Sequence, residues 1–208
     1  MQGQSGSEIY LVRHGETAWS ITGQHTGMTD LALTVRGEGQ ARGLEARLRG
    51  LSFAHVLSSP LQRARQTCEL AGFSSNAVFD PYLVEWNYGD YEGLTTQEIQ
   101  RVRPGWVVFR DGCPGGESVA QVTARVDRIV SRLRAHASGV LVFSSGHLLR
   151  ALAARWLGLS IELGGALALD PGAICMLGDD HGGADSVIRL WNDTGYQGTP
   201  GLVLPQRL

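Results

Sequence analysis

The run Val140-Leu141-Val142-Phe143 is the feature that most restricts the fold of this chain. Four consecutive apolar residues without alternation predict a strand that is covered on both faces, as strands in parallel sheets are. A helical stripe of apolar residues precedes this run between residues 119 and 133, and a second stripe follows it from Leu148 to Trp156. The sequence therefore predicts an α/β protein, a three-layer α/β/α sandwich with a mostly parallel sheet.

Other predicted strands and helices alternate along the chain, as this architecture requires. The predicted strands are 8–12, 53–57, a short one near 78, 140–143, and a closing antiparallel hairpin of 173–177 and 186–191. The predicted helices are 34–48, one that Ser59 caps with Pro60 at its first position, 95–103, 118–135 with a capping box, and one near 147–156. No internal repeat or linker divides them, so we expect a single domain over residues 1–208 with a frayed segment at 1–7.

Residues 15–33 form a long loop that is rich in glycine and threonine and has little apolar periodicity. A loop of this length in a compact domain is usually functional. Its backbone N–H groups, together with Ser20, Gln24, Thr26 and Thr29, are candidates to line an anion pocket.

Candidate catalytic residues follow two predicted strands. Arg13 and His14 come directly after the first strand, and the segment 144–147 follows the apolar run. The carboxyl ends of parallel strands meet at one edge of a sheet, where α/β proteins bind ligands. Arg63 lies in the first turn of a predicted helix, where a cation is unfavourable unless an anion is also present. An imidazole nucleophile beside two guanidinium groups is best matched by a phosphate monoester.

Five motifs in order give the chain a resemblance to a known family. They are R-H-G-E-T at 13–17, G-Q-H-T-G-M-T-D at 23–30, S-S-P-L-Q-R-A-R-Q-T at 58–67, E-W-N-Y-G-D-Y-E-G at 85–93, and Gly146-His147. Together they resemble the histidine phosphatase superfamily, which includes the phosphoglycerate mutases, and the resemblance extends over nearly the whole chain. The branch that this chain resembles most is that of the small acid phosphatases and sugar bisphosphatases. The fold implied is phosphoglycerate mutase-like.

The resemblance implies roles for individual residues. His14 would attack phosphorus to give a phosphohistidine, Arg13 and Arg63 would stabilise the transferred group, and Glu85 would protonate the leaving alcohol. No cofactor and no metal would be needed. The candidate substrate-binding residues are Ser20, Gln24, His25, Thr26, Gly27, Tyr88, Arg110, Gly146 and His147.

Ser145 departs from the family pattern, because the family has its second catalytic histidine immediately before the glycine of the late motif. Losing one transition-state donor typically costs about 10²–10³ in rate. Three explanations remain open: an engineered substitution that traps a ligand, a slow natural enzyme in which His147 or water compensates, or a non-catalytic protein that binds phosphate.

The interval between the acid motif and the late helix bears on the activity. Phosphoglycerate mutases that depend on a cofactor carry an extended insert with paired arginines there, whereas this interval is short. We therefore predict hydrolysis of a sugar phosphate or a similar small monoester, with Arg110 and His25 as candidates to receive a second negative group. A mutase and a non-catalytic phosphate-binding protein are the alternatives.

Composition excludes several other classes. The formal net charge of −2 argues against nucleic-acid binding, and no apolar run is long enough to span a membrane. Three widely separated cysteines and six histidines show no metal-ligand spacing. Reduced cysteines and no recognisable signal peptide predict a cytoplasmic protein. The predicted partner is a small phosphorylated metabolite, with no nucleic acid and no membrane, and a homodimer is the candidate assembly.

Overall fold

The computed structural model of the protein describes residues 8–136 and 139–197. Its strands are β1 (Glu8–Arg13), β2 (His55–Ser58), β3 (Ala77–Phe79), β4 (Val140–Ser144), β5 (Ile174–Asp180) and β6 (Asp185–Asp193). Its helices are α1 (Ala18–Thr22), α2 (Val35–Leu48), α3 (Gln62–Leu70), α4 (Thr96–Val102), α5 (Val108–Asp111), α6 (Val119–Arg134) and α7 (Gly146–Trp156). The frayed segment predicted at residues 1–7 lies outside the described residues.

All six strands form one sheet in the order β3-β2-β4-β1-β5-β6. Strands β3, β2, β4 and β1 pair in parallel, β5 pairs antiparallel with β1, and β6 pairs antiparallel with β5. The predicted mostly parallel sheet and the predicted closing hairpin are therefore confirmed.

The apolar run that predicted a doubly covered strand is β4, and every residue of this strand is buried. Val140 and Val142 pack into one core with α6 and α7, whereas Leu141 and Phe143 pack into a second core with α2 and α3. Because side chains of a strand alternate between faces, continuous apolarity is what helices on both sides of the sheet require. The three-layer arrangement is confirmed.

Two helices start where the sequence predicts, and a third starts later than predicted. Thr34 caps α2 by accepting the Gly37 N–H, and Ser118 forms the predicted capping box of α6 with Gln121. The prediction that Ser59 and Pro60 open a helix is wrong, because α3 begins only at Gln62 and lacks a side-chain cap from its own N-cap residue. The Ser59 N–H bonds the Phe143 carbonyl at 2.9 Å, so pairing with β4 continues past the end of β2 and holds Ser59 outside the helix.

The segment 15–33 is not entirely loop. Thr17 and Ser20 form a capping box that starts α1, a helix of five residues with none buried. A helix this short and exposed leaves no apolar periodicity in the sequence, which explains why the prediction of a loop missed it.

Candidate active site

The ends of β1 and β4 create the site. Arg13 lies opposite Ser144 in the parallel register, and the His14 N–H donates to the Ser144 carbonyl at 2.9 Å. This bond places His14 beside the turn that enters α7. A cavity of about 230 Å³ opens at this edge of the sheet. It is lined by Arg13, His14, Thr17, Ser20, Gly23, Gln24, His25, Thr26, Glu85, Tyr88, Thr96, Gly146, His147, Arg150 and Leu169.

His14 is 4% exposed and its imidazole has a defined orientation. Nδ1 lies 2.8 Å from the carbonyl oxygen of Gly15. A carbonyl can only accept, so this geometry assigns the proton to Nδ1 and leaves Nε2 with a free lone pair. Burial holds the pKa of His14 well below its usual value, and the charges of Arg63 and Arg13 lower it further. His14 is thus an uncharged imidazole at neutral pH, with Nε2 free to accept.

A hydrogen-bonded link connects the His14 turn to α3. The Gly15 N–H donates to Thr67 Oγ1 at 3.0 Å, and Thr67 donates in turn to the Arg63 carbonyl at 2.7 Å. Glycine is required at position 15, because a Cβ there would lie 2.4 Å from the Gly37 carbonyl oxygen. These bonds connect the turn that carries His14 to the helix that carries Arg63.

Arg13 and Arg63 each leave one buried donor without a partner. Arg13 donates through Nη1 to the Leu169 carbonyl, and the two Nη atoms of Arg63 donate to the carbonyls of Thr26, Gly27 and Thr29. In both residues Nε is buried and has no hydrogen-bond partner. Burial lowers the pKa of both arginines. A buried cationic donor without a partner is costly, so these atoms indicate an anion site.

Glu85 lies between the arginines and the start of α7. Its Oε1 accepts the N–H groups of Trp86 at 3.0 Å and Leu148 at 2.8 Å, and its Oε2 accepts that of His147 at 2.9 Å. Burial lowers the pKa of Arg13, Arg63 and Arg150. The negative charge of Glu85 acts in the opposite direction, and for each arginine it is the largest effect that raises the pKa. Glu85 is thus a carboxyl group inside a cluster of guanidinium groups, on the wall of the cavity.

Ser145 is the N-cap residue of α7 and is fully buried. Its Oγ makes no capping bond and has no hydrogen-bond partner. An N-cap serine normally accepts a backbone N–H of the first turn. Here Glu85 accepts the N–H groups of His147 and Leu148 instead, which leaves the hydroxyl of Ser145 as a third unused buried group near His14.

Three aromatic rings, those of His25, Tyr88 and His147, form one wall of the cavity. The Tyr88 hydroxyl lies 2.5 Å from His147 Nδ1, and the His25 ring packs 4.7 Å from the Tyr88 ring. Burial raises the pKa of Tyr88 well above its usual value and lowers that of His147 well below. Burial also lowers the pKa of His25 to about 4. This wall is therefore uncharged at neutral pH.

The buried histidine His25 makes stability depend on pH. Unfolded His25 binds a proton below about pH 6.5, whereas folded His25 does so only below about pH 4. The contribution of His25 to the free energy of unfolding is fully present above pH 6.5. It is lost as the pH falls from 6.5 to 4, because in that range only the unfolded state takes up the proton. We expect a loss of about 3 kcal/mol in the free energy of unfolding between these limits.

Urea denaturation from pH 7 to pH 4 measures this loss. The free energy of unfolding should fall less steeply with decreasing pH for His25→Gln than for wild type. A slope equal to that of wild type, or equally changed by exposed His181→Gln, would contradict this.

The predicted site residues are not all in the same place. Seven of the nine predicted substrate-binding residues line the cavity: Ser20, Gln24, His25, Thr26, Tyr88, Gly146 and His147. Gly27 lies behind the wall, where its carbonyl accepts from Arg63. Arg110 is outside the cavity lining, because its guanidinium is paired with Asp111 at 2.8 Å and bonded to the Gly105 carbonyl.

Arg150 is a cavity residue that the sequence analysis missed. It lies on α7 three residues after His147, and residues three apart share one face of a helix. Nε donates to the Gly164 carbonyl and Nη2 to that of Gly165, while the guanidinium lies 5.0 Å from the centre of the Phe109 ring. The i+3 spacing from His147 was the signal that could have identified it. Thr17, Gly23, Thr96 and Leu169 are further lining residues that were not predicted.

The described part of the chain offers neither a metal centre nor a membrane-spanning helix. Within residues 8–136 and 139–197 there is no group of three or more His, Cys, Asp or Glu side chains able to hold a metal ion. In the same residues no helix is both long and apolar enough to cross a bilayer. Cys68, Cys113 and Cys175 are all buried free thiols.

Known proteins are similar to this chain in sequence and in fold. An acid phosphatase from Mycobacterium tuberculosis is 43% identical over 185 residues, which cover 86% of this chain and 90% of the relative. A sedoheptulose 1,7-bisphosphatase from Saccharomyces cerevisiae is 40% identical over 184 residues, covering 73% of this chain and 68% of the relative. The solved structure of an open reading frame product from Mycobacterium tuberculosis superposes with a TM-score of 0.86 at 39% identity, covering 91% of this chain and 98% of that one.

The family is established by a match over most of the chain. The sequence profile described as the histidine phosphatase superfamily (branch 1) matches residues 9–194. This range contains every motif on which the predicted resemblance depended, and the two relatives belong to the predicted branch of acid phosphatases and sugar bisphosphatases. The prediction is confirmed, and this chain belongs to the histidine phosphatase superfamily.

Proposed function

We propose that this chain hydrolyses small phosphate monoesters through a phosphohistidine on His14, with Glu85 as the proton donor. The predicted class of enzyme, a phosphatase, is confirmed by the family and by the relatives named above. The covalent step and the residue roles are the new part. They are supported by one observation: an uncharged His14 is flanked by two buried guanidinium groups whose Nε atoms have no partner.

In the first step Nε2 of His14 uses its lone pair to attack phosphorus in line with the ester oxygen. The phosphorus–oxygen ester bond breaks, and its electrons leave with the alcohol oxygen. Protonated Glu85 donates its proton to that oxygen, so that a neutral alcohol departs. The Nε donors of Arg13 and Arg63 stabilise the charge on the non-bridging oxygens. The proton stays on Nδ1 of His14, which continues to donate to the Gly15 carbonyl and so holds the ring in place.

In the second step a water molecule attacks the phosphohistidine. Glu85, now ionised, accepts a proton from the water as its oxygen bonds to phosphorus. The phosphorus–nitrogen bond breaks and its electrons return to Nε2, so that His14, Glu85 and the arginines are restored. General acid–base help of this kind is commonly worth about 10²–10⁴ in rate.

Arg150 supports a narrower proposal about the substrate. His25 and His147 are uncharged, and Arg110 lies outside the lining, so Arg150 supplies a second positive charge to the cavity besides Arg13. Its Nε and Nη2 are occupied by carbonyls, which leaves Nη1 to receive a second anionic group. A sugar bisphosphate carries such a group, and one relative is named a sedoheptulose 1,7-bisphosphatase.

Replacing Arg150 by glutamine tests this substrate class. We expect the KM for a sugar bisphosphate to rise about tenfold, the effect of losing one charge-assisted hydrogen bond, while the KM for para-nitrophenyl phosphate stays the same. The matched control is Arg155→Gln on the same helix, which removes an ion pair with Asp127 and a hydrogen bond to the Leu159 carbonyl but no residue of the cavity lining. If Arg150→Gln raises the KM equally for both substrates, Arg150 does not form a subsite for a second anion.

A phosphoglycerate mutase is the alternative that the same fold allows. Release of inorganic phosphate and interconversion of 3- and 2-phosphoglycerate can be measured on one enzyme sample. Phosphate release should be the faster reaction, and it should be unaffected by a chelator. Interconversion that outpaces phosphate release would replace the hydrolase with a mutase.

A cytoplasmic location and a homodimer are part of this proposal. The three cysteines are free thiols, which is the usual state in a reducing compartment. The formal net charge of −2 supports a small-molecule partner and no nucleic acid. Fractionation of cells and light scattering of the purified protein would test the location and the assembly.

A further inference from the structure

Arg63 depends on an irregular segment of chain for its orientation. The Arg63 side chain is completely buried, and its Nη atoms donate to the carbonyls of Thr26, Gly27 and Thr29 at 2.9–3.0 Å. Residues 25–30 belong to no helix or strand. The direction of the unpartnered Nε therefore depends on whatever holds these three carbonyls in place.

Glu92 binds the same segment from its other side. Its Oε1 accepts the Gly27 N–H at 2.8 Å and the Thr29 N–H at 3.0 Å. The segment thus presents N–H groups to a carboxylate and carbonyls to a guanidinium. Peptide dipoles aligned between opposite charges strengthen both sets of hydrogen bonds. The negative charge of Glu92 also opposes the lowering of the pKa of Arg63 by burial, although less than Glu85 does.

Two further observations show that the contact between Glu92 and the segment is close and specific. A Cβ on Gly27 would lie 2.6 Å from Glu92 Oε2 and 2.6 Å from the Trp86 carbonyl oxygen, so only glycine fits there. Glu92 Oε2 is itself buried and has no hydrogen-bond partner. A half-satisfied buried carboxylate costs stability, which indicates that Glu92 is present for a reason other than stability.

We propose that Glu92 is the positioning residue for Arg63: it fixes the 26–29 carbonyls that aim Arg63 Nε at the phosphoryl group. Glu92 belongs to the same nine-residue motif as Glu85, so one motif serves both the proton donor and the cationic donor. This inference rests on the proposed function only in assigning the anion site to a phosphoryl group.

A double-mutant cycle between Glu92 and Arg63 tests the inference. The measured quantities are kcat/KM for para-nitrophenyl phosphate and the calorimetric Kd for inorganic phosphate. Glu92→Ala should lower kcat/KM and raise Kd about tenfold in the wild-type background, but less than about twofold in the Arg63→Met background. Methionine is chosen because it fills much of the buried volume of arginine. A loss of general stability would instead appear in both backgrounds.

Two more variants control the cycle. Glu92→Gln keeps an oxygen that can accept both N–H groups, so it should recover at least half of the loss on a logarithmic scale. Asp90→Asn removes a carboxylate from the same motif at an exposed position and should leave both quantities unchanged. Thermal unfolding of each variant confirms that it is folded.

The outcomes separate the two proposals. Equal effects of Glu92→Ala in both backgrounds, or a Glu92→Gln variant as poor as Glu92→Ala, would overturn the role of Glu92 alone. If Arg63→Met changes neither turnover nor phosphate affinity, the assignment of Arg63 in the proposed function also fails.

Discussion

His14→Asn is expected to abolish turnover, with a fall in kcat of about 10⁴–10⁶, the range seen when a covalent nucleophile is removed from an enzyme. The asparagine amide can still donate to the Gly15 carbonyl, so the turn and the two arginines should keep their arrangement. What is lost is the Nε2 lone pair, which no other group on the cavity wall replaces at the same place. Phosphate binding should persist, because Arg13 and Arg63 remain.

The measurement has two parts. Release of nitrophenol from para-nitrophenyl phosphate gives kcat, and a ³²P-labelled ester followed by an alkaline quench gives the labelled residue, because phosphohistidine survives alkali. Wild type should carry the label on His14 and the variant should carry none. His181→Asn, an exposed histidine outside the cavity, should label and turn over like wild type. Label on any other residue, or turnover without label at His14, would contradict the covalent mechanism.

The fold was predictable where local signals and burial agree. The continuous apolar run became β4 because helices cover both of its faces, and Thr34 and Ser118 cap the helices they were predicted to cap. Ser59 shows where local signals fail. Serine followed by proline favours a helix start, but the pairing of the Ser59 N–H with Phe143 keeps this residue extended. That partner is 84 residues away in sequence, so no short window of sequence contains the information.

The candidate site was predictable where strand ends define it and less so elsewhere. Arg13 and His14 follow a strand, and the topology of a parallel sheet places them. The sequence could not show which of Arg110 and Arg150 lines the cavity, because both are arginines in helices and neither follows a strand end. Asp111 pairs with Arg110, whereas Arg150 packs on Phe109 beside the cavity. The contacts behind the proposed role of Glu92 could not be predicted either, since its partners are backbone N–H groups 63 and 65 residues away in sequence.

Ser145→His is expected to raise kcat by about 10²–10³, the value of one transition-state donor at a reacting oxyanion. The family has a histidine at this position, and here the Ser145 hydroxyl is buried with no hydrogen-bond partner. An imidazole from the start of α7 could extend into the adjacent cavity and donate to the phosphoryl oxygens. A larger side chain at a fully buried position also carries a risk of steric strain, commonly about 1–3 kcal/mol. Thermal unfolding must therefore accompany the kinetics.

Ser145→Ala is the matched control, because it removes the hydroxyl without adding a donor. Its kcat should not rise, and its stability should be equal or slightly higher, since a buried hydroxyl without a partner is unfavourable. A fall in kcat would indicate that the hydroxyl contacts the phosphoryl group, whereas no change would favour compensation by His147 or water. A folded Ser145→His variant with unchanged or lower turnover would show that the site works without the family's second histidine. His147 would then be the next residue to test, because it is uncharged, lies on the cavity wall and shares its Nδ1 with Tyr88.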